Sequence, residues 1–126
     1  MNTDPQNYTE FWDFYVSEHS QPLTRLLHFV GTSLGLILLA YFLYTGRWYL
    51  FPLFFVVGYA FAWFAHFVIE KNRPASFRYP FWSFVSDFKM MALMATGQMS
   101  GEVERVLAGK HTADTRRRAG SRKQQI

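Results

Sequence analysis

Uncharged, mostly apolar residues run from 26 to 44 and again from 49 to 69, separated by a short break that carries Arg47. The runs are 19 and 21 residues long, so each crosses a hydrocarbon layer of about 30 Å as a helix. Both are apolar on every side, and a soluble bundle would need more chain than remains here to wrap them. The pattern therefore predicts an all-α integral membrane protein built on an antiparallel helical hairpin. Arg25 precedes the first run, Lys71, Arg73 and Arg78 follow the second, and only Arg47 lies between, which places both termini in the cytoplasm.

The flanks are patterned differently. Asn7 followed by Glu10 has capping-box spacing, and Tyr8, Phe11, Trp12, Tyr15, Val16 and His19 then recur at helical intervals. Glu10, Asp13 and Glu18 lie off that face, so an N-terminal helix is expected along the membrane interface or packed on the hairpin, ending at Ser20, Gln21 and Pro22. Beyond the second run, Pro74 stops the helix, and the aromatic stretch to Trp82 reads as an interfacial loop. Pro80 opens a third helix that is apolar yet contains Asp87 and Lys89, which predicts a docked or re-entrant element and not a third span. A short amphipathic piece follows at residues 101–107.

One stripe of the first run carries Thr24, His28, Gly31, Thr32 and Gly35, and one stripe of the second carries Gly58, Ala62, His66 and Glu70. Small residues let membrane helices approach closely, so these faces are expected to meet.

Composition changes the picture in two places. Of the net charge of +4, residues 110–126 contribute +5 and the rest −1, so the basicity belongs to a tail expected to be disordered. The expected organisation is one membrane-embedded helical domain over 1–109 and a tail over 110–126 whose partner is anionic lipid; with no recognition module beside the charge, nucleic acid is not expected. Cysteine is absent, which removes disulfides and thiolate ligands. The N-terminal stretch lacks the basic-then-apolar pattern of a signal peptide, so the first span is expected to direct insertion. With no sorting signal present, the cytoplasmic (inner) membrane is expected, or the endoplasmic reticulum in a eukaryote.

The candidate chemistry lies at the open end of the hairpin. Arg47 is midway between His28 and His66, so helices of equal rise bring both imidazoles to one depth. Glu70 is one turn beyond His66, and His19 can fold back across the turn at Pro22. Imidazoles with a carboxylate suit iron, zinc or manganese and leave positions open for chemistry, whereas a hydrogen-bonded His–Glu pair is the plain alternative. Asp87 is a further ligand, an orienting partner, or a simple helix-three hydrogen-bonding residue. Arg25, Lys71, Arg73 and Arg78 are candidates for holding a substrate carboxylate, or else snorkelling topology determinants. His111, in the tail, reads as solvated.

The stretches EHSQPLTRLLHFVGT (18–32) and AWFAHFVIEKNRPASFRYPFWSFVSDFKM (62–90) resemble the Mpo-like family of membrane proteins. The resemblance spans residues 8–94, with His66, Glu70, Pro74 and Ala75 as its most specific pattern. It implies Fe(II) bound by His19, His28 and His66, and cleavage of a 2-hydroxy fatty acid by dioxygen to the acid one carbon shorter. Longer relatives have Gly where this chain has Ala65 and often Asn where it has Thr24, so it looks like a short, bacterial-type branch. Against this Fe(II)-dependent fatty acid dioxygenase stand a non-catalytic membrane protein whose histidines fasten helices or bind a partner, and a metal-regulated small subunit.

Overall fold

The computed structural model describes residues 4–124 and is helical, with no strand among the described residues. α1 (Tyr8–Ser17) and α2 (Pro22–Tyr44) are joined by a tight turn. A 3-10 turn (Trp48–Leu50) leads into α3 (Pro52–Phe64), which continues as a π-helical segment (Ala65–Glu70). A second 3-10 turn (Ala75–Phe77) precedes α4 (Pro80–Ala95), and α5 (Met99–Gln124) follows.

Local chemistry sets these boundaries. Proline occupies the first turn of α2, α3 and α4, where its missing N–H costs nothing. Asn7 Oδ1 accepts the Glu10 N–H at 2.9 Å, but the Glu10 carboxylate turns to the Gln6 N–H, so only half of the expected capping box forms. At the other ends, Gly46 (φ 75°) closes α2 and Gly97 (φ 74°) closes α4. The following N–H groups, of Arg47 and Gln98, return to Phe42 O and Leu93 O at 2.7 Å, the Schellman arrangement.

Two kinds of packing coexist. α2 and the second arm (Trp48–Glu70) are each 23 residues long and apolar enough to cross a membrane. They leave large apolar side chains uncovered, among them Ile37 (66 % exposed), Tyr44 (90 %) and Val56 (61 %). α1, α4 and α5 instead enclose an ordinary core of Phe11, Trp12, Tyr15, Val16, Met90, Met99, Val103 and Val106. Each such buried aromatic or aliphatic side chain contributes about 1.5–3 kcal/mol. The acidic side of α1 meets the basic side of α5: Arg105 pairs with Asp13 and Glu102 at 2.8 Å, and Trp12 Nε1–H donates to Glu102. α4 docks on α1, α2 and α5.

Two expectations need correction. Gly31 and Gly35 do lie at a close helix approach, but against Phe61 and Phe54 of α3, while Gly58 faces open space. The small stripe of α3 thus borders a gap toward α4. Second, residues 110–124 are not irregular but continue α5 without a break at 110; the last two residues of the expected tail lie outside the described residues. Side chains 110–122 touch no core and are exposed, so helix formation there rests on Ala, Arg and Lys propensity and on local bonds such as Arg118–Asp114 at 3.2 Å.

A Cβ at Gly31 would fall 2.6 Å from Phe61 Cβ, whereas one at Gly58 would meet nothing within 4 Å. Gly31→Ala is expected to cost roughly 1–3 kcal/mol of stability and Gly58→Ala none, read as thermal midpoints in detergent. Equal midpoints would contradict the close α2–α3 approach.

Candidate metal centre

Three segments deliver one imidazole each: His19 from the turn after α1, His28 from the second turn of α2, and His66 from the π-helical end of the second arm. All three are buried. His19 Nε2 lies 3.1 Å from both His28 Nε2 and His66 Nε2, and the ring planes are nearly perpendicular. Adjacent nitrogen ligands on one ion, each about 2.1 Å away, are expected about 3.0–3.4 Å apart.

The remaining ring nitrogens decide what this cluster holds. His19 Nδ1 bonds Tyr15 O at 2.6 Å, His28 Nδ1 bonds Thr24 O at 3.0 Å, and His66 Nδ1 bonds Asn72 Oδ1 at 2.7 Å. Each partner is a carbonyl oxygen that only accepts, so each Nδ1 carries the proton of a neutral ring and each Nε2 presents a lone pair. Three lone pairs then converge with no hydrogen between them, an arrangement that favours a cation. A proton is a poor one, because burial, followed by the neighbouring His28 and His66, pulls the His19 pKa well below its usual value. The donor set fits a bound metal ion, with Nδ1 acceptors of the kind that orient metal-binding histidines.

The local backbone serves this geometry. Lys71 adopts φ 59°, the single non-glycine residue of positive φ among those described, and ends the π-helical segment. That reversal brings Asn72 back so that its N–H bonds His66 O, its Oδ1 accepts the His66 Nδ1–H, and its Nδ2 donates to Glu18 O at 3.2 Å. A left-handed lysine carries strain of about 1–2 kcal/mol, retained here beside the imidazole it serves.

The structure brings together the three histidines but not the other expected ligands. The Glu70 carboxylate accepts from the Gln21 N–H at 2.7 Å and from Ser20 Oγ at 3.2 Å, satisfying a free donor at the start of α2 and clamping the turn that carries His19. Asp87 accepts the Tyr15 hydroxyl at 2.5 Å, and the Tyr15 ring stacks on His19 with centroids 4.0 Å apart, so Asp87 acts on the histidine through Tyr15. Neither carboxylate belongs to the three-histidine group.

The four cations are also placed apart. Arg25 donates to His19 O at 2.8 Å and Ser20 O at 2.9 Å, fixing the same turn. Arg78 pairs with Asp4 at 2.9 Å, and Lys71 and Arg73 are exposed. None of them lines the histidine cavity. That cavity, about 10 Å³, is near the lower limit for one water-sized occupant, and its wall includes Ser83, Asp87, Trp63, Pro74 and Ala75. His111 is exposed, as expected.

Tyr15, Asn72 and Ser83 were not singled out by the sequence. Tyr15 sat four residues before His19 on the α1 apolar face, where it reads as core. Asn72 lay in a loop with no periodicity to direct it, and a serine on a third helix carries no signal of its own.

Replacing His19, His28 or His66 with alanine is expected to abolish stoichiometric metal binding by the detergent-purified protein, measured by elemental analysis, whereas Glu70→Gln retains it. Metal loss in Glu70→Gln equal to that in His66→Ala would return Glu70 to the ligand set. Burial lifts the Asp87 pKa from 3.8 to about 7, despite the opposing bond from Tyr15. The folded chain therefore holds this proton more tightly than the unfolded one, and the stability tied to it is lost as pH rises toward and through 7. In chelator-treated protein the thermal midpoint of Asp87→Asn should gain on the wild type between pH 5 and pH 8; parallel curves would refute the burial argument.

Known proteins supply one further finding. No curated protein and no solved structure matches the chain. Residues 5–99 match the family model described as Mpo1-like, 2-hydroxy-palmitic acid dioxygenase Mpo1-like, a stretch that runs from before α1 to the start of α5 and contains all three histidines and their Nδ1 partners. The chain belongs to the Mpo1-like family.

Proposed function

We propose that this protein is an Fe(II)-dependent membrane dioxygenase that shortens 2-hydroxy fatty acids by one carbon. The observation that carries the reading is the convergence of three unprotonated Nε2 atoms on one small buried cavity. Three nitrogen ligands leave open positions on an ion that prefers six, which favours chemistry over a structural staple. Bound there, iron would supply a Lewis acid for the substrate and a conduit for its electrons to dioxygen, the 2-hydroxy acid and O2 giving the shorter acid, carbon dioxide and water.

The chain's own groups do the rest. His19, His28 and His66 hold the ion, and Tyr15 O, Thr24 O and Asn72 Oδ1 keep their Nδ1 protons in place. Asp87 fixes Tyr15 against His19, while burial, followed by the Asp87 charge, raises the Tyr15 pKa and keeps its hydroxyl protonated as the donor. The apolar hairpin sits in the cytoplasmic or another cellular membrane with both termini cytoplasmic, which puts the metal where lipid headgroups meet hydrocarbon. Lys71, Arg73 and Arg78 lie at that boundary and attract carboxylates before binding, without lining the cavity. The exposed cations of α5, Lys110, Arg116, Arg117, Arg118 and Arg122, face anionic lipid headgroups.

Purified protein reloaded anaerobically with Fe(II) and given 2-hydroxypalmitic acid and air is expected to form the fifteen-carbon acid, detected by mass spectrometry. Zinc-loaded protein and His66→Ala should form none. Iron bound at one equivalent without any shortened acid would leave a metal-binding, non-catalytic membrane protein.

A further inference from the structure

A second cavity adjoins the histidine cavity and shares His28, Ala62 and Asp87 with it. Its remaining walls are Thr32, Gly58 and Tyr59 beside the phenylalanines of α3 and α4, and it encloses about 30 Å³ while lying partly open at the protein surface. This is the gap left because Gly31 and Gly35 of α2 pack on Phe61 and Phe54, turning the Gly58–Ala62 side of α3 toward α4. Polarity divides the two compartments. The inner one holds the imidazoles and Ser83 Oγ, which is buried (Ser83 is 3 % exposed) and has no hydrogen-bond partner. Outside the shared wall, the outer one is lined by aromatic rings with Thr32 and Gly58 between them. A buried hydroxyl without a partner costs about 1–3 kcal/mol, so it calls for a polar occupant.

We propose that the gap between α3 and α4 is the lateral entry for a single-chain amphiphile, whose polar end reaches Ser83 Oγ and whose alkyl chain lies over Gly58 between Phe55 and Phe84. The identity of the polar end, a 2-hydroxy carboxylate, rests on the function proposed above; the path of the chain rests on the two joined cavities. The enclosed volume has room for only a short stretch of an alkyl chain, so the chain lies in an open-sided slot with its remainder among the lipids. Such a slot selects for a slender chain and against a two-chain phospholipid. Gly58 is the position that keeps it open, because any side chain there projects into space that no other atom fills.

The test uses the full chain in phosphatidylcholine nanodiscs, loaded with Fe(II), and a palmitic acid bearing a diazirine at mid-chain. After illumination, mass spectrometry is expected to locate adducts in residues 54–59 and 84–88, displaced by 2-hydroxypalmitic acid. Gly58→Phe should lower them about tenfold with iron content unchanged, while Val56→Phe, on an exposed face of α3, leaves them as they were. Ser83→Ala should weaken displacement by 2-hydroxypalmitic acid more than displacement by hexadecane. Adducts spread over lipid-facing residues such as Ile37 and Leu43, absent altogether, or indifferent to Gly58→Phe would overturn the entry route. Slot-specific adducts without turnover would sink the oxygenase and leave the route; turnover without them would do the reverse.

Discussion

Three imidazole lone pairs gathered at one point, with His19 Nε2 3.1 Å from both His28 Nε2 and His66 Nε2, are the constraint to which the rest of the molecule answers. Each is committed by a hydrogen bond at the far side of its ring, so the cluster cannot relieve itself by moving a proton from Nδ1 to Nε2 without setting a ring lone pair against an oxygen that only accepts. Two of the three acceptors are main-chain carbonyls one turn upstream, at Tyr15 and Thr24, positions a helical turn supplies automatically. The third has to be made, because His66 lies at the end of its arm. A π-helical segment, a left-handed lysine and the returning Asn72 make it. The π-helical segment and the left-handed Lys71 therefore lie next to the ring that lacks a helical partner.

The molecule packs in two different ways, and the three-histidine cluster lies at their boundary. The hairpin keeps its bulky apolar side chains outward and Gly31 and Gly35 inward, an arrangement that water would penalise and hydrocarbon does not. α1, α4 and α5 pack in the conventional way, with Phe11, Tyr15 and Met90 inside and the Asp13–Arg105–Glu102 network outside. The histidines lie where the first packing gives way to the second. Tyr15 joins the two, since one face of its ring belongs to the α1 core and the other lies on His19. On the hairpin side the gap beside Gly58 stays partly open, while the core holds the imidazoles still.

Much of this was visible in the order of residues, for physical reasons that also explain the failures. Two long uncharged runs have one solution in hydrocarbon, and the equal spacing of His28 and His66 from Arg47 brings the two histidines to one level. Pro22, Pro52 and Pro80, with Gly46 and Gly97, mark ends that the backbone respects. Periodicity reports which side of a helix is special but not what it meets. Gly58 and Ala62 were therefore read as a contact face although they line a gap, and Glu70 was read as a ligand although it clamps a turn. The continued helix at 110–124 shows the same limit: lack of a core argues against packing, not against a helix held by its own side chains.

The pattern His66, Glu70, Pro74, Ala75 divides into separate physical duties when its atoms are followed. His66 alone joins the donor cluster. Glu70, one turn on, accepts the free N–H of Gln21 and so fixes the turn from which His19 projects, and Arg25 grips the same turn through two carbonyls. Pro74 ends the returning loop in an extended conformation, and Ala75 begins the 3-10 turn that closes the cavity wall, with its side chain in the α1–α4–α5 core. A larger residue at 75 would push that wall away from both core and cavity. The spacing thus records one ligand, one clamp on a second ligand and one wall, tying the hairpin's end to the helices that hold His19. This explains why four residues from one segment can mark a centre built from three.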